Sequence, residues 1–84
     1  MNRDDILFNL EQHCNTLNDL RDVVEVDIVY DGQWIRLYAR YCNKRFYVTT
    51  LTIYDETTNE LNGAKRCITH AFFAVCSVVR TFLL

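Results

Sequence analysis

The sequence predicts a single α+β domain with the element order αβββα, in which two helices pack on one face of a three-stranded antiparallel sheet. Three observations support this prediction. Apolar residues at helical spacing open the chain, two alternating segments flank Asp31-Gly32, and a second apolar stripe at helical spacing closes the chain. A length of 84 residues allows one domain, over residues 1–84, with a thin core.

The first helix is predicted from Asn2 to about Leu17. Apolar residues recur there every three or four positions, namely Ile6, Leu7, Leu10, Cys14 and Leu17. Asn2 or Asp4 can cap the helix, and the acidic residues near its start suit the positive end of the helix dipole.

A β-hairpin is predicted from Val23 to Tyr41, with Asp31-Gly32 as its two turn residues. Pairing Tyr30 with Gln33 brings apolar residues together on one face, namely Val24, Val26, Ile28, Tyr30, Ile35, Leu37, Ala39 and Tyr41. On the other face, this register opposes Asp27 to Arg36.

A third strand, from about Arg45 to Tyr54, is rich in β-branched and aromatic residues and follows a predicted turn at Asn43-Lys44. Phe46 and Val48 would face the core, whereas Leu51 and Ile53 have the opposite parity. Two alternatives follow. Either a bulge near Thr49-Thr50 turns them inward, or they cover Trp34 on the outer face.

Residues 55–62 are polar and predict a loop, and a second helix follows from about Leu61 or Ala64 to the C-terminus. Its predicted core stripe is Ile68, Ala71, Phe72, Val75, Val78, Val79 and Phe82. Because one small sheet can cover few apolar positions, we expect a homodimer interface formed by Phe73, Phe82, Leu83 and Leu84.

The charge balance and the cysteines of the chain indicate its class of partner and its cellular compartment. Nine basic and eleven acidic residues give a net charge of −2, whereas a dedicated nucleic-acid binder usually carries a basic excess. Four cysteines without an apolar leader predict reduced thiols in the cytoplasm. The apolar run near the C-terminus is short and contains Arg80, so no membrane span is expected.

No pattern predicts a metal, a cofactor or an enzyme. His13 and Cys14, with Cys67 and His70 on the other helix, are ligand types that zinc prefers. Adjacent residues on a helix diverge by about 100°, however, and no CxxC pair is present. No glycine-rich turn offers an oxyanion hole or a phosphate loop.

The function predicted from the residues is protein binding, by a small adaptor or inhibitor of the kind found among phage, viral and bacterial accessory proteins. Its predicted contacts share one sheet face and are of residue types enriched at binding hot spots, namely Trp34, Arg36, Tyr38, Arg40 and Tyr47. The alternative is an RNA-binding or other nucleic-acid-binding domain that uses Arg36, Arg40, Lys44, Lys65 and Arg66. The αβββα order predicted for this chain resembles that of double-stranded-RNA-binding domains, and Lys65-Arg66 lies near the start of the second helix.

Overall fold

The computed structural model describes residues 1–20 and 24–82, apart from the side chain of Phe82. Its elements are, in order, α1 (Arg3–Asn18), β1 (Glu25–Asp31), β2 (Trp34–Tyr41), β3 (Lys44–Thr52) and α2 (Thr58–Phe82). The strands form one antiparallel sheet in the order β1-β2-β3, so the predicted α+β fold with αβββα order is confirmed. Val23, Leu83, Leu84 and the Phe82 side chain, which the predictions above include, lie outside the described residues.

Helix α1 begins at a capping box. The Asn2 side-chain oxygen accepts the Asp5 N–H at 2.8 Å, and the Asp5 carboxylate accepts the Asn2 N–H at 3.4 Å. Of the two candidate caps, Asn2 is therefore the one used. The buried face of the helix is the predicted one, with Ile6, Leu10, Cys14 and Leu17 in the core.

The first hairpin has the predicted faces but a different register. Asp31 pairs with Trp34, so Gly32 and Gln33 are the turn residues, and the predicted turn at Asp31-Gly32 is wrong. Gly32 has a φ of +63°, at the first central position where a type II′ turn favours glycine. The two strands are therefore displaced by two residues from the predicted register. A displacement of two leaves every side chain on its face, and the predicted inward residues remain inward.

A second tight turn joins β2 to β3. Cys42 and Asn43 both have positive φ angles, of 53° and 65°, as a type I′ turn requires. The turn lies one residue before the predicted Asn43-Lys44 pair, so Tyr41 pairs with Lys44.

A bulge in β3 explains the change of parity that the sequence left open. Tyr38 pairs with Tyr47 but Leu37 pairs with Thr49, which leaves Val48 as the extra residue. The bulge turns Leu51 toward the helices, where it packs against the core, and Ile53 is buried just beyond the strand. The first of the two alternatives is therefore confirmed, with the bulge slightly earlier than predicted.

Phe46 is not a core residue, in contrast to its prediction. It pairs with the inward-facing Ala39, yet 51% of its surface is exposed. Helix α1 packs chiefly against β1, and α2 packs against α1 and β2, so much of the helix side of β3 stays open. Val48, half-buried, contacts the core as predicted.

Helix α2 begins at Thr58, earlier than predicted, and the segment 55–62 is not all loop. The Thr57 hydroxyl accepts the Glu60 N–H at 3.3 Å, and the Glu60 carboxylate accepts the N–H groups of Tyr54 and Asp55 at 2.5 and 2.7 Å. Thr57-Thr58-Asn59-Glu60 is the spacing of a capping box, so this start could have been found in the sequence.

The core face of α2 differs from the prediction at one described position, because Val78 is exposed. The buried residues of this helix are Leu61, Ala64, Ile68, Phe72 and Val79. In the part of the chain that the structure describes, neither helix combines the length and apolar character needed to cross a membrane.

Candidate functional site

The sheet has one face against the helices and one face open to solvent among the described residues. Alternation along the strands sends to the open face the residues Glu25, Asp27, Val29, Asp31, Trp34, Arg36, Tyr38, Arg40, Arg45, Tyr47, Thr50 and Thr52. We call this surface the outer face. It contains all five residues predicted as partner contacts.

Aromatic side chains occupy two parts of the outer face, with Trp34 at one end of the sheet and the Tyr38–Tyr47 pair near its middle. Trp34 begins β2 and is 51% exposed. Tyr38 and Tyr47 are cross-strand neighbours, with ring centroids 6.0 Å apart in an edge-to-face arrangement. The Tyr47 hydroxyl is hydrogen-bonded to the Thr50 hydroxyl at 2.7 Å, which holds the exposed Tyr47 ring in one orientation.

Arg45 also belongs to this surface, although it is not one of the five predicted partner contacts. Its guanidinium carbon lies 3.8 Å from the centroid of the Tyr38 ring, a cation–π contact. Arg45 pairs with Arg40 and is therefore diagonal to Tyr38 across the two strands. The signal in the sequence was this diagonal relation, which becomes visible only once the β2–β3 register is known.

The two predicted arginines of the outer face are both paired with acids of β1. Arg40 forms ion pairs with Glu25 and Asp27, and its Nε lies 2.9 Å from an Asp27 carboxylate oxygen. Arg36 pairs with Asp31 at 3.3 Å and not with Asp27 as predicted. The two-residue displacement of the hairpin is the cause, because it places Arg36 opposite Val29 and moves Asp27 toward the end of β2 that carries Arg40.

Charges on the outer face therefore balance. Three arginines (Arg36, Arg40 and Arg45) share it with three carboxylates (Glu25, Asp27 and Asp31). The structure does not bring together the five cations of the nucleic-acid alternative. Arg36 and Arg40 are on the outer face, Lys44 pairs with the inward-facing Tyr41, and α2 carries Lys65 and Arg66 on the opposite side of the sheet.

The histidines and cysteines are dispersed. No group of three or more histidine, cysteine or acidic residues with metal-binding geometry occurs among residues 1–20 and 24–82. His13 joins the helices, since its Nε2 lies 3.1 Å from the Lys65 carbonyl and 2.7 Å from the Thr69 hydroxyl. A carbonyl only accepts, so Nε2 carries the proton in this contact. Partial burial lowers the pKa of His13.

Cys14 is a core residue without nucleophilic character. Burial, together with the nearby charges of Asp27 and Glu11, raises the pKa of its thiol to about 11. The thiolate is the reactive form of cysteine, and at neutral pH Cys14 remains a thiol. Cys42 and Cys67 are exposed and lie far apart in sequence, one in a turn and the other on α2.

Of the predicted dimer residues, the structure describes the side chain of Phe73, which is 42% exposed on α2 and packs edge-to-face on Phe72. Position 82 is nine residues further along the same helix, which places it about 180° around the helix axis from position 73. A flat partner surface would therefore contact one of these two positions rather than both.

No family model, no curated protein and no solved structure matches this chain.

Proposed function

We propose that this chain is a small, non-enzymatic protein-binding module, an adaptor or inhibitor whose outer face docks on a protein partner. The observation that carries the proposal is an aromatic surface left open to solvent on a hydrogen-bonded sheet. Trp34, Tyr38 and Tyr47 are the proposed anchors. Tryptophan, tyrosine and arginine are the residues enriched at binding hot spots.

The side chains of the outer face are already held in position, which favours tight binding of a partner. Tyr38 lies between the Tyr47 ring and the Arg45 guanidinium, and the Tyr47 hydroxyl is held by Thr50. Side chains that are already fixed lose less conformational entropy when a partner binds. Arg36 and Arg40 are likewise held by ion pairs to β1, so they can present their remaining N–H groups at the rim of the interface.

Charge favours a protein over a nucleic acid as the partner. Nucleic-acid affinity depends mainly on cations that neutralise phosphates. On the outer face, Glu25, Asp27 and Asp31 lie beside the arginines and would repel a phosphate backbone. A protein surface can contact the aromatic rings and meet both signs of charge.

The cytoplasm is the proposed compartment. The cysteines at positions 14, 42 and 67 form no disulfide bond with any described residue, as expected in a reducing environment. Self-association through the exposed Phe73 is a further part of the proposal and is argued in the Discussion.

Affinity capture with three versions of the purified chain tests the outer face. Wild type, Trp34→Ala and Phe8→Ala are used as baits in a lysate of the source cell, and the captured protein is then purified and titrated. Phe8 is the matched control because it is an exposed aromatic residue on α1, on the other side of the sheet. We expect Trp34→Ala to weaken binding, raising the Kd of the purified pair roughly 30-fold or more. Phe8→Ala should leave the Kd unchanged.

The outcomes of this experiment distinguish binding at the outer face from binding elsewhere and from nucleic-acid binding. Circular dichroism and thermal unfolding establish that Trp34→Ala is folded before its binding is compared. A partner that is lost equally with Phe8→Ala would place the contact elsewhere and contradict the proposal. Tight, salt-sensitive binding of duplex RNA or DNA to the wild type, weakened by Arg40→Ala, would replace it with the nucleic-acid alternative.

A further inference from the structure

The sheet has two edges, and a side chain satisfies the outward backbone groups of one residue, Val26, at the β1 edge. At the β1 edge, the Asn18 side chain accepts the Val26 N–H at 2.9 Å and donates to the Val26 carbonyl at 3.2 Å, as a neighbouring strand would. At the β3 edge, no hydrogen bond from any described residue reaches the backbone on the side away from β2. Unpaired edges of this kind are templates for another strand.

A groove runs beside the open edge, between β3 and α2. It has a volume of about 510 Å³. One wall is the helix side of β3 and the other is α2, and the lining residues are Val48, Thr49, Leu51, Arg66, Cys67, His70 and Ala71. The α2 wall presents the short side chains of Cys67 and Ala71, so the space above β3 is not filled. A strand added to β3 would point every second side chain into this groove.

Among the residues that line the groove, Arg66 carries a positive charge and none carries a negative charge. Arg66 forms no ion pair with a carboxylate of the described residues. Glu60 lines the adjoining part of the cleft and not the groove itself, and its two carboxylate oxygens accept the N–H groups of Tyr54 and Asp55. Lys44, at the start of β3, is exposed and adds a second cation to the strand.

We propose that the β3 edge and the β3–α2 groove bind an extended, acidic segment of a partner protein as an additional strand. Its backbone pairs with β3, alternate apolar side chains enter the groove, and an aspartate or glutamate contacts Arg66. A second copy of this chain fits less well as the added strand, because β3 contains Lys44 and Arg45 but no acid that could contact Arg66. This surface is separate from the outer face and does not depend on its function.

A displayed library of random decapeptides, sorted against the folded wild-type chain, is the probe. We expect enriched peptides to alternate apolar residues and to contain an aspartate or glutamate. Their binding should fall about tenfold or more with Arg66→Glu, since an attractive charge becomes repulsive. Lys65→Glu, one position away on the same helix, is the matched control and should retain binding. Peptides carrying lysine in place of the acid should bind Arg66→Glu better than wild type.

A second variant and one spectroscopic measurement make the test independent of charge. Cys67→Phe, at an exposed position, should fill the groove and abolish peptide binding while the chain stays folded. Bound peptide should slow hydrogen exchange of β3 amides. The proposal fails if no peptide is enriched, if binding is insensitive to Arg66→Glu, or if Trp34→Ala abolishes it. A wild-type dimer whose β3 amides are already protected without peptide would assign the edge to a second copy and overturn it.

Discussion

Asn18 caps one residue, Val26, at the β1 edge of the sheet. Val26 is only 1% exposed, so water has little access to its backbone N–H and carbonyl. The Asn18 carboxamide satisfies both groups, because it carries one acceptor and one donor at the spacing of a peptide unit. A side chain at the end of α1 thereby fixes the helix on β1 and occupies an edge that could otherwise pair with another chain.

Removal of the Asn18 side chain should lower the stability of the fold. We expect Asn18→Ala to lower the free energy of unfolding by about 2 kcal/mol, because two buried backbone groups lose their partners. For a domain of this size that lowers Tm by roughly 10 °C. Asn15→Ala, at an exposed position one turn earlier on α1, should change stability by less than about 0.5 kcal/mol. Equal losses in the two variants, measured by urea and thermal unfolding, would contradict this role for Asn18.

The least predictable feature of the candidate site was which acidic residue forms an ion pair with which arginine. Alternation in β2 was enough to place Trp34, Tyr38 and Arg40 on one face, since the side-chain period of a strand is two. The acids that pair with Arg36 and Arg40 depend on the hairpin register. The sequence pattern accommodates two registers that keep the same faces, so the predicted Asp27–Arg36 pair was wrong.

At the scale of the elements, the two glycines of the chain have opposite roles. Gly32 occupies a turn at φ +63°, which other residues adopt only with strain. Gly63 lies inside α2 in helical conformation, where a methyl group would have its nearest neighbour, an Arg66 guanidinium nitrogen, at 3.9 Å. Glycine within a helix costs conformational entropy without any compensating contact at this position.

Alanine at the two positions should therefore shift stability in opposite directions. We expect Gly63→Ala to raise the free energy of unfolding by about 1 kcal/mol and Gly32→Ala to lower it by about 1 kcal/mol or more. Thermal unfolding of both variants beside the wild type measures the two shifts in one experiment. Destabilisation by Gly63→Ala would mean that α2 does not continue through this position.

Helices and strands with a regular spacing of apolar residues could be predicted from the sequence, but the residues at which they begin and end could not. The stripes of α1 and α2 and the faces of the hairpin follow from apolar spacing alone, because burial imposes it. Both turns are displaced by one residue from their predicted positions, since the decision rests on which residues accept positive φ. The bulge at Val48 was foreseen as one of two alternatives but not located, because it depends on pairing with β2.

For the whole molecule, the arrangement of the layers leaves apolar surface on both sides. Helices α1 and α2 bury a main core against β1 and β2, and a smaller cluster of buried residues consists of Val24, Ala39 and Val79. The outer face, the helix side of β3 and the exposed flank of α2 remain open among the described residues. A chain of this size buries a modest fraction of its surface on folding, so association with a partner would add more to its stability than it would in a larger domain.

Phe73 is the described residue through which we expect self-association. It is a large side chain, 42% exposed on α2, and its ring packs edge-to-face on the buried Phe72, which limits its freedom before any partner arrives. Contact between two α2 helices about this residue would be isologous, each Phe73 covering the flank of the other helix. We expect wild type to sediment mainly as a dimer at about 100 µM, which requires an association free energy of about 7 kcal/mol or more.

Phe73→Asp should convert that dimer to a monomer of 10.0 kDa without unfolding it, because a carboxylate at the contact would lose its hydration on association. Phe8→Asp is the matched control, with the same change at an exposed position on α1, and should leave the dimer intact. Sedimentation velocity over a concentration series, with circular dichroism of each variant, makes the comparison. A monomeric wild type at the highest concentration would contradict self-association through Phe73.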